Sequence, residues 1–334
     1  MMTPHIARTQ RGVTLIELMV GMLVGMLAVM LISQVLLVSE SQKRTTTGGA
    51  DAQVNGALAL YTMQRDLQMA GYGITSSPNV IGCPISARFN GATPAGGFAA
   101  NLVPVVITPE ASRGGAVGDA VRILASSKGS FSVPTRVIPP GYAVGNTDFP
   151  VRAGVGFAQG DLALVATNDV QPCWVFQVTA APAARSLPRA NTAWNSANAP
   201  DVAYGDGAVL MNLGTLVDTR YEINGNVLQS ISFDFANPAT SPRPAVAVQP
   251  DIVNLRAYYG RDTSVPMDGV IDVFDQTTPT TNAGWLRVLA VRLVVVARSS
   301  TFEKEQVTVA NPEWSVGTDP AVAGATSCAS GTGE

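Results

Sequence analysis

The sequence predicts an α+β fold in which a long N-terminal helix packs on a C-terminal antiparallel β-sheet domain. An apolar run extends from Val13 to Val38 and is long enough for a helix that crosses a bilayer. Beyond this run, apolar residues at helical spacing predict that the helix continues to about residue 70. The rest of the chain has segments rich in Val, Ile and Leu, separated by Gly and Pro, which is typical of strands joined by turns.

The composition limits the classes of function. Only 13% of the residues are charged and the net charge is −3, with no cluster of Lys and Arg among aromatic residues, so no nucleic-acid partner is indicated. The only histidine is His5, and no CxxC pair occurs, so a zinc site has almost no ligands. Neither a G-x-S-x-G pattern nor a P-loop is present. We therefore expect no enzymatic activity.

The N-terminal apolar run has three ordinary interpretations. Arg8 and Arg11 precede it without an acidic residue, which predicts that this end stays in the cytoplasm and that the body is exported. At about 26 residues, the run is longer than the apolar region of a cleaved signal peptide. It fits a single-span anchor, and Gly21 and Gly25 have the spacing of a weak helix-dimerisation pattern. None of these interpretations explains Glu17, the only charged residue between Val13 and Val38.

The segment Arg11–Val20, RGVTLIELMV, resembles the class III signal of type IV pilins and type II secretion pseudopilins. The resemblance implies a type IV pilin-like fold and cleavage by a prepilin peptidase between Gly12 and Val13. It also implies methylation of the new N-terminus at Val13, although phenylalanine or methionine is commoner at this position. Glu17 would then pair with the Val13 ammonium of a neighbouring subunit. Such a pair would neutralise a buried charge and fix the axial register of the subunits.

The second half of the helix is predicted to be amphipathic. Its apolar positions follow one another at spacings of three or four, and they form a stripe that is expected to pack on the body: Val54, Ala57, Leu60, Met63 or Gln64, Leu67 and Ala70. The Gly48–Gly49 pair is expected to strain or kink the helix. Gly71 is expected to end it, since glycine is favoured just past a helix end.

Seven segments are predicted to be strands, and no ten-residue helical pattern separates them, which favours an antiparallel sheet. Trp285–Ser299 is the most apolar and is predicted to be a central strand. Residues 74–116 are expected to form an extended connection. The other predicted strands are Ala120–Ala125, Asp161–Thr167, Trp174–Thr179, Ala208–Leu213, Val227–Phe235 and Ile252–Tyr259.

Two further features concern covalent and metal chemistry. In an exported body, three cysteines predict one disulfide and one spare thiol. We favour Cys83–Cys173, because Cys328 lies in a weakly patterned tail, but three single bridges are compatible with the sequence.

The acidic loop with Asp262, Asp268 and Asp272 resembles a calcium loop, but serine and proline stand at two ligand positions. We therefore expect an ordinary turn there, with calcium as a weak candidate and no other cofactor.

Several stretches resemble PilW-type minor pilins of type IV pili: RDLQMAGYG at the helix end, CWVFQVTA, and the closing VLAVRLVVVARS. This resemblance implies a fimbrial protein of cell motility that primes pilus assembly and lies near the filament tip. Its implied partners are other minor pilins, the major pilin, the prepilin peptidase and the inner-membrane assembly platform. Before assembly it would cross the inner membrane once, with a periplasmic body, and afterwards it would lie in the pilus at the cell surface.

Two alternatives remain open at the level of sequence. A J-class pseudopilin of a type II secretion system shares the general plan, and a single-span membrane protein with an exported, ligand-binding β domain would form no filament.

If the chain is a minor pilin, the sequence divides into a leader (1–12), an apolar half-helix (13–38), an amphipathic half-helix (39–70), a β-rich head (71–310) and a flexible tail (311–334).

Overall fold

A computed structural model of the chain describes residues 12–94, 98, 101–128, 133–168, 171–302, 313–315 and 325–327. The basic flank with Arg8 and Arg11, the third cysteine Cys328 and most of the predicted tail lie outside these residues. The architecture is α+β, as predicted: one long helix, α1 (Leu15–Gln68), precedes a body made of antiparallel sheets. A single turn of helix, α2 (Asn282–Trp285), lies within the body.

The strands are short, and most follow one another through turns. In chain order they are β1 (Ile85–Ser86), β2 (Val105–Thr108), β3 (Ala120–Ala125), β4 (Thr135–Arg136), β5 (Asp148–Pro150), β6 (Leu162–Ala166), β7 (Cys173–Gln177), β8 (Ser186–Pro188), β9 (Val209–Gly214), β10 (Val217–Asn224), β11 (Val227–Ser232), β12 (Val246–Pro250), β13 (Ile252–Arg261), β14 (Val273–Asp275), β15 (Val288–Ala297), β16 (Glu313–Ser315) and β17 (Ala325–Ser327).

These strands form three main sheets. The first has the order β1-β7-β6-β9-β4, the second β12-β11-β10-β3-β2, and the third β14-β13-β15. Two pairs, β5-β8 and β16-β17, stand apart. Every pairing among these strands is antiparallel except that of β1 with β7.

The first sheet is buried on both faces, which explains why its strands are apolar without interruption. Along β6, Leu164 belongs to one hydrophobic cluster, whereas Ala163 and Val165 belong to another. Because successive side chains of a strand point to opposite faces, one apolar run supplies both clusters. A third cluster lies between the second sheet, the third sheet and α1, and there Ala59 and Met63 of the helix are fully buried.

The helix α1 differs from the prediction in two respects. It continues as one helix through Gly48 and Gly49, where strain or a kink was expected. Of the predicted stripe, Met63 is buried and Leu67 and Ala70 pack on the same cluster, whereas Val54 and Ala57 are exposed. Before Met63 the face that packs on the body is lined by small residues: Gly48, Ala52, Gly56 and Ala59. The small side chains let the helix approach the sheet closely, which hydrophobicity alone does not reveal.

The prediction for Trp285–Ser299 was wrong in its position within the sheet. Trp285 belongs to α2, and the strand β15 is an edge strand that pairs only with β13 among the described strands. An apolar run predicts that a strand is buried, but it does not predict whether a neighbouring strand or a helix covers it. Here α1 lies along part of β15: a Cβ added to Gly56 would lie 3.4 Å from the Cβ of Ala297.

The interval 74–116 is more structured than predicted, since it contains β1 and β2. The sequence prediction also missed the longer strands β10 and β12, together with the short strands β4, β5, β8, β14, β16 and β17. In β10, three of eight residues are charged, and this obscures the strand pattern. The structure pairs these charges: Arg122 of the neighbouring strand donates from Nε to Asp218 at 2.6 Å, and Arg113 donates to Glu222 at 2.8 Å.

Candidate functional site

The residues predicted for processing and subunit register, Gly12, Val13 and Glu17, lie at the start of α1. Gly12, Val13 and Thr14 precede the helix, and Thr14 is its N-cap. The Thr14 hydroxyl accepts a hydrogen bond from the backbone N–H of Glu17 at 3.3 Å, so it satisfies a donor that has no partner within the helix. Glu17 lies in the first turn, where a negative charge interacts favourably with the helix dipole.

The first half of α1 touches no other part of the described chain. Its most apolar window of 18 residues has a mean hydropathy of 2.5 and is not buried at all. Individual side chains are correspondingly exposed: Leu15 and Met26 are each 78% exposed. The helix is long and apolar enough to cross a membrane. A contiguous apolar surface of this size indicates a site that contacts lipid or protein.

Glu17 is the exception on this apolar surface. Among the described residues, no cation lies within salt-bridge distance of its carboxylate. In a medium without water, an unpaired carboxylate is costly, and the helix itself supplies only partial compensation through its dipole. The site therefore combines an apolar binding surface with a single negative charge at one end, which favours a partner that is apolar and carries one positive charge.

The second half of α1 is held to the body by polar contacts at two points. The Tyr221 hydroxyl donates to Asp66 at 2.5 Å, and Gln249 donates to the side-chain oxygen of Asn55 at 2.7 Å. Burial raises the pKa of Tyr221, and the hydrogen bond to Asp66 raises it further, so Tyr221 stays a neutral donor over the physiological range. These hydrogen bonds attach the second half of α1 to β10 and β12 of the second sheet.

A disulfide joins Cys83 to Cys173, the pairing favoured in the sequence analysis, with Cα atoms 5.9 Å apart. Both cysteines are fully buried. The backbone N–H of Cys173 also donates to the carbonyl of Pro84 at 2.9 Å, where β1 and β7 run parallel. The bridge therefore fastens the segment that follows α1 to the first sheet.

The acidic loop uses its carboxylates to stabilise a turn. Asp262 is fully buried, and its side chain accepts hydrogen bonds from the backbone N–H groups of Ser264, Asp268 and Gly269 at 2.8–3.0 Å. Asp272 accepts from Thr263 and Ser264, and these bonds, first those of Thr263, hold its pKa below the ordinary value. Over the described part of the chain, no three His, Cys, Asp or Glu residues cluster as metal ligands would.

Comparison with known families gives two matches. Residues 7–33 match the family described as the prokaryotic N-terminal methylation motif, which is the class of N-terminus that prepilins carry. Residues 220–327 match the family described as Type IV Pilus-assembly protein W. The two matches are those of a PilW-family type IV pilin, and they confirm the family predicted from the sequence. No curated protein and no solved structure matches the chain.

The matched regions correspond to distinct parts of the structure. The methylation motif covers Gly12, Val13, Glu17 and the exposed apolar half of α1, whereas the PilW match covers most of β10 and all of β11 to β15. These matches support a pilin related to the type IV pilus. The family matched over residues 220–327 is one of structural pilus components rather than of enzymes, and a type IV pilus component interacts with other pilins and with the pilus machinery.

Proposed function

We propose that this protein is a minor pilin that primes assembly of a type IV pilus and lies near the tip of the filament. The observation that carries the proposal is the exposed apolar half of α1, with Glu17 as its only charged residue. A plain membrane anchor gains nothing from this carboxylate, whereas a filament of packed helices gives it a partner. The match to a pilus-assembly family supports the same function.

Cleavage between Gly12 and Val13 would create the positive charge that Glu17 needs. Both residues precede the helix, so the peptide bond between them lies outside the helical hydrogen-bond pattern. A peptidase would not have to unwind the helix to reach it. The new ammonium group at Val13 would be one helical turn from Glu17 along the same chain. In a bundle, a neighbour displaced by about one turn, ~5 Å, would bring its own Val13 to Glu17. Methylation of Val13 leaves this charge in place.

Before assembly, α1 would hold the protein in the inner membrane with its body in the periplasm. The basic residues Arg8 and Arg11 support this orientation. The disulfide Cys83–Cys173 supports it as well, because stable disulfides form in oxidising compartments. The prepilin peptidase and the assembly platform would act on this membrane form, and other minor pilins and the major pilin would contact α1 in the filament.

The N-terminus of the membrane-extracted protein tests the proposal directly. Mass spectrometry should find a mature chain that begins at methylated Val13. An intact leader would contradict it, and so would cleavage beyond Val38, which would indicate a secreted protein. An intact leader in a strain with active prepilin peptidase would favour a single-span protein whose β domain binds a ligand.

The role of Glu17 has a matched control on the same helix. Glu17→Ala should leave the protein in the membrane but lower its recovery with co-expressed minor pilins. Glu40 is an exposed carboxylate further along α1, where it forms a salt bridge with Arg44 at 3.5 Å. Glu40→Ala removes one negative charge from the same helix and should leave recovery unchanged. Equal recovery for Glu17→Ala and the wild-type protein would show that Glu17 has no role in assembly.

A J-class pseudopilin of a type II secretion system is the second candidate. It would use the same processed N-terminus, so the two candidates differ in their partners rather than in their chemistry. The match over residues 220–327 favours the pilus. Co-purification with pilus minor pilins, and not with secretion pseudopilins from the same cells, would support the pilus assignment.

A further inference from the structure

Within the described part of the chain, the outer edge of β15 is unpaired, and the strand is unusually apolar. Its ten residues, VLAVRLVVVA, contain one charge and no proline. None of the described strands pairs with this edge. Natural proteins usually protect long apolar edges with lysine, proline, bulges or a covering element, because an open edge pairs with other strands. Here α1 approaches β15 most closely near Ala297, where a Cβ added to Gly56 would lie 3.4 Å from the Cβ of Ala297, and further along a groove lies between the helix and the strand.

The register of the third sheet shows which backbone groups face this edge. In β13, the N–H of Ala257 donates to Asp119 at 2.8 Å and the carbonyl of Leu255 accepts from Asp119 at 2.8 Å, so both residues direct their backbone away from β15. Ala257 is opposite Leu293 in the ladder, and Tyr259 is opposite Val291. In an antiparallel ladder, opposed residues of a non-hydrogen-bonded pair both turn outward. Val291 and Leu293 therefore direct their N–H and carbonyl groups to the open edge.

A groove runs between α1 and β15. Its volume is about 740 Å³; Leu60 and Leu67 of α1 and Leu289, Val291 and Leu293 of β15 line it, and so does Tyr259 of β13. The described residues that line it include no acidic side chain. A strand that paired with β15 would therefore find backbone partners on one side and an apolar wall of α1 on the other.

We propose that this edge binds a β-strand from another pilin subunit, which extends the third sheet by β-augmentation. The inference rests on the proposed function, because the partner is a pilin of the same assembly. The groove adjoins the helix that would mediate filament assembly, since the second half of α1 forms one wall of the groove and the first half of α1 is the exposed apolar segment. Arg298 is exposed just beyond β15 and forms no salt bridge with a described carboxylate, whereas Arg287 at the other end already donates to the carbonyls of Asp262 and Ser264. The incoming strand should therefore be apolar along its middle and acidic at the end that meets Arg298.

Hydrogen exchange resolved to single amides tests the pairing. The full-length mature protein would be measured in detergent alone and in complex with the other minor pilins of the same pilus, co-expressed with it. The N–H groups of Val291 and Leu293 should exchange quickly in the isolated protein and slowly in the complex. Those of Ala290 and Arg292, which face β13, should exchange slowly in both. This alternation distinguishes strand pairing from docking that merely covers the surface.

A matched pair of variants tests whether the edge contributes to affinity. Leu289 is 42% exposed and Val144, on a remote loop, is 48% exposed. Leu289→Lys places a charge at the groove and should lower recovery of the complex by roughly tenfold. Val144→Lys adds the same charge elsewhere and should leave recovery unchanged.

Three results would overturn the proposal. Slow exchange of Val291 and Leu293 in the isolated monomer would show that the same chain covers the edge. Slow exchange that appears only in a homodimer would assign the edge to a second copy. A complex that forms without added protection at these amides would place the partner elsewhere.

Failure of the proposed function can be told apart from failure of this inference. If the wild-type protein forms no complex and retains its leader, both fail. If the protein is correctly processed and forms a complex through another surface, only the inference is refuted.

Discussion

Removal of the Cys83–Cys173 disulfide should lower the free energy of unfolding by several kcal/mol. The two cysteines are 90 residues apart in the sequence. Under the chain-entropy relation, a loop of this length restricts the unfolded chain by about 4.6 kcal/mol at 25 °C, and measured effects are usually about 2–4 kcal/mol. Most domains are stable by only about 5–15 kcal/mol, so the loss would remove a large share of the stability.

The assay is urea denaturation of the full chain in detergent, followed by tryptophan fluorescence. The double variant Cys83→Ala/Cys173→Ala removes the bridge without leaving a buried free thiol. The expected result is a lower midpoint with a free energy of unfolding reduced by about 2–4 kcal/mol. Trp194 packs in the same hydrophobic cluster as both cysteines, so its fluorescence should report unfolding of this region.

Cys328→Ala provides the control, because this cysteine is the spare thiol in the predicted pairing. Its stability should equal that of the wild-type protein. If Cys328→Ala lowered stability as much as the double variant, the pairing would be wrong. If neither variant changed stability under oxidising conditions, the argument from loop entropy would fail for this fold.

Two further predictions concern α1 and the acidic loop. Gly49→Ala should stabilise the protein by up to about 1 kcal/mol, because alanine favours a helix and an added Cβ at Gly49 meets nothing within 4 Å. Gly48→Ala should gain less or destabilise, because its Cβ would lie 3.2 Å from the Cβ of Ser299; equal gains in urea denaturation would refute the packing role of Gly48. The lowered pKa of Asp272 means that its contribution to stability is present above the ordinary value of 3.8 and is lost as the pH falls through the lower folded value. The protection factors of the amides of residues 263–272, which are exchange rates relative to the intrinsic rate at each pH, should therefore fall in acid, and Asp272→Asn should remove this pH dependence; an unchanged profile of protection factors would show that Asp272 does not hold the loop.

The contact between α1 and the body shows where inference from sequence stopped. The helix itself was predictable from its apolar run and its helical spacing, and Leu15–Gln68 lies close to the expected bounds. The packing of Met63, Leu67 and Ala70 was predictable too, but the part of the packing face before Met63 was not, because glycine and alanine score poorly as core residues. Gly48 and Gly56 pack because they let two backbones approach, and this depends on what lies opposite them. Val54 is more apolar but is 55% exposed.

The strands show the same division. Ala120–Ala125 was predicted with its observed bounds because both its composition and its turns are distinctive. In contrast, β10 became a strand because Arg122 and Arg113 neutralise its carboxylates from elsewhere in the chain. The position of β15 at a sheet edge also depends on long-range pairing, since a run of apolar residues has the same sequence signature at an edge and at a centre.

The sequence by itself determined the class of the protein, because the features that define it are local. The glycine before Val13, the lone Glu17 and the unbroken apolar run are contiguous, and their meaning does not depend on distant residues. Only the tertiary structure decided which face of α1 packs on the body, where β15 lies and how the carboxylates of Asp262 and Asp272 are used. Each of these depends on contacts between residues far apart in the chain, and such contacts are fixed by packing and hydrogen bonding rather than by local propensity.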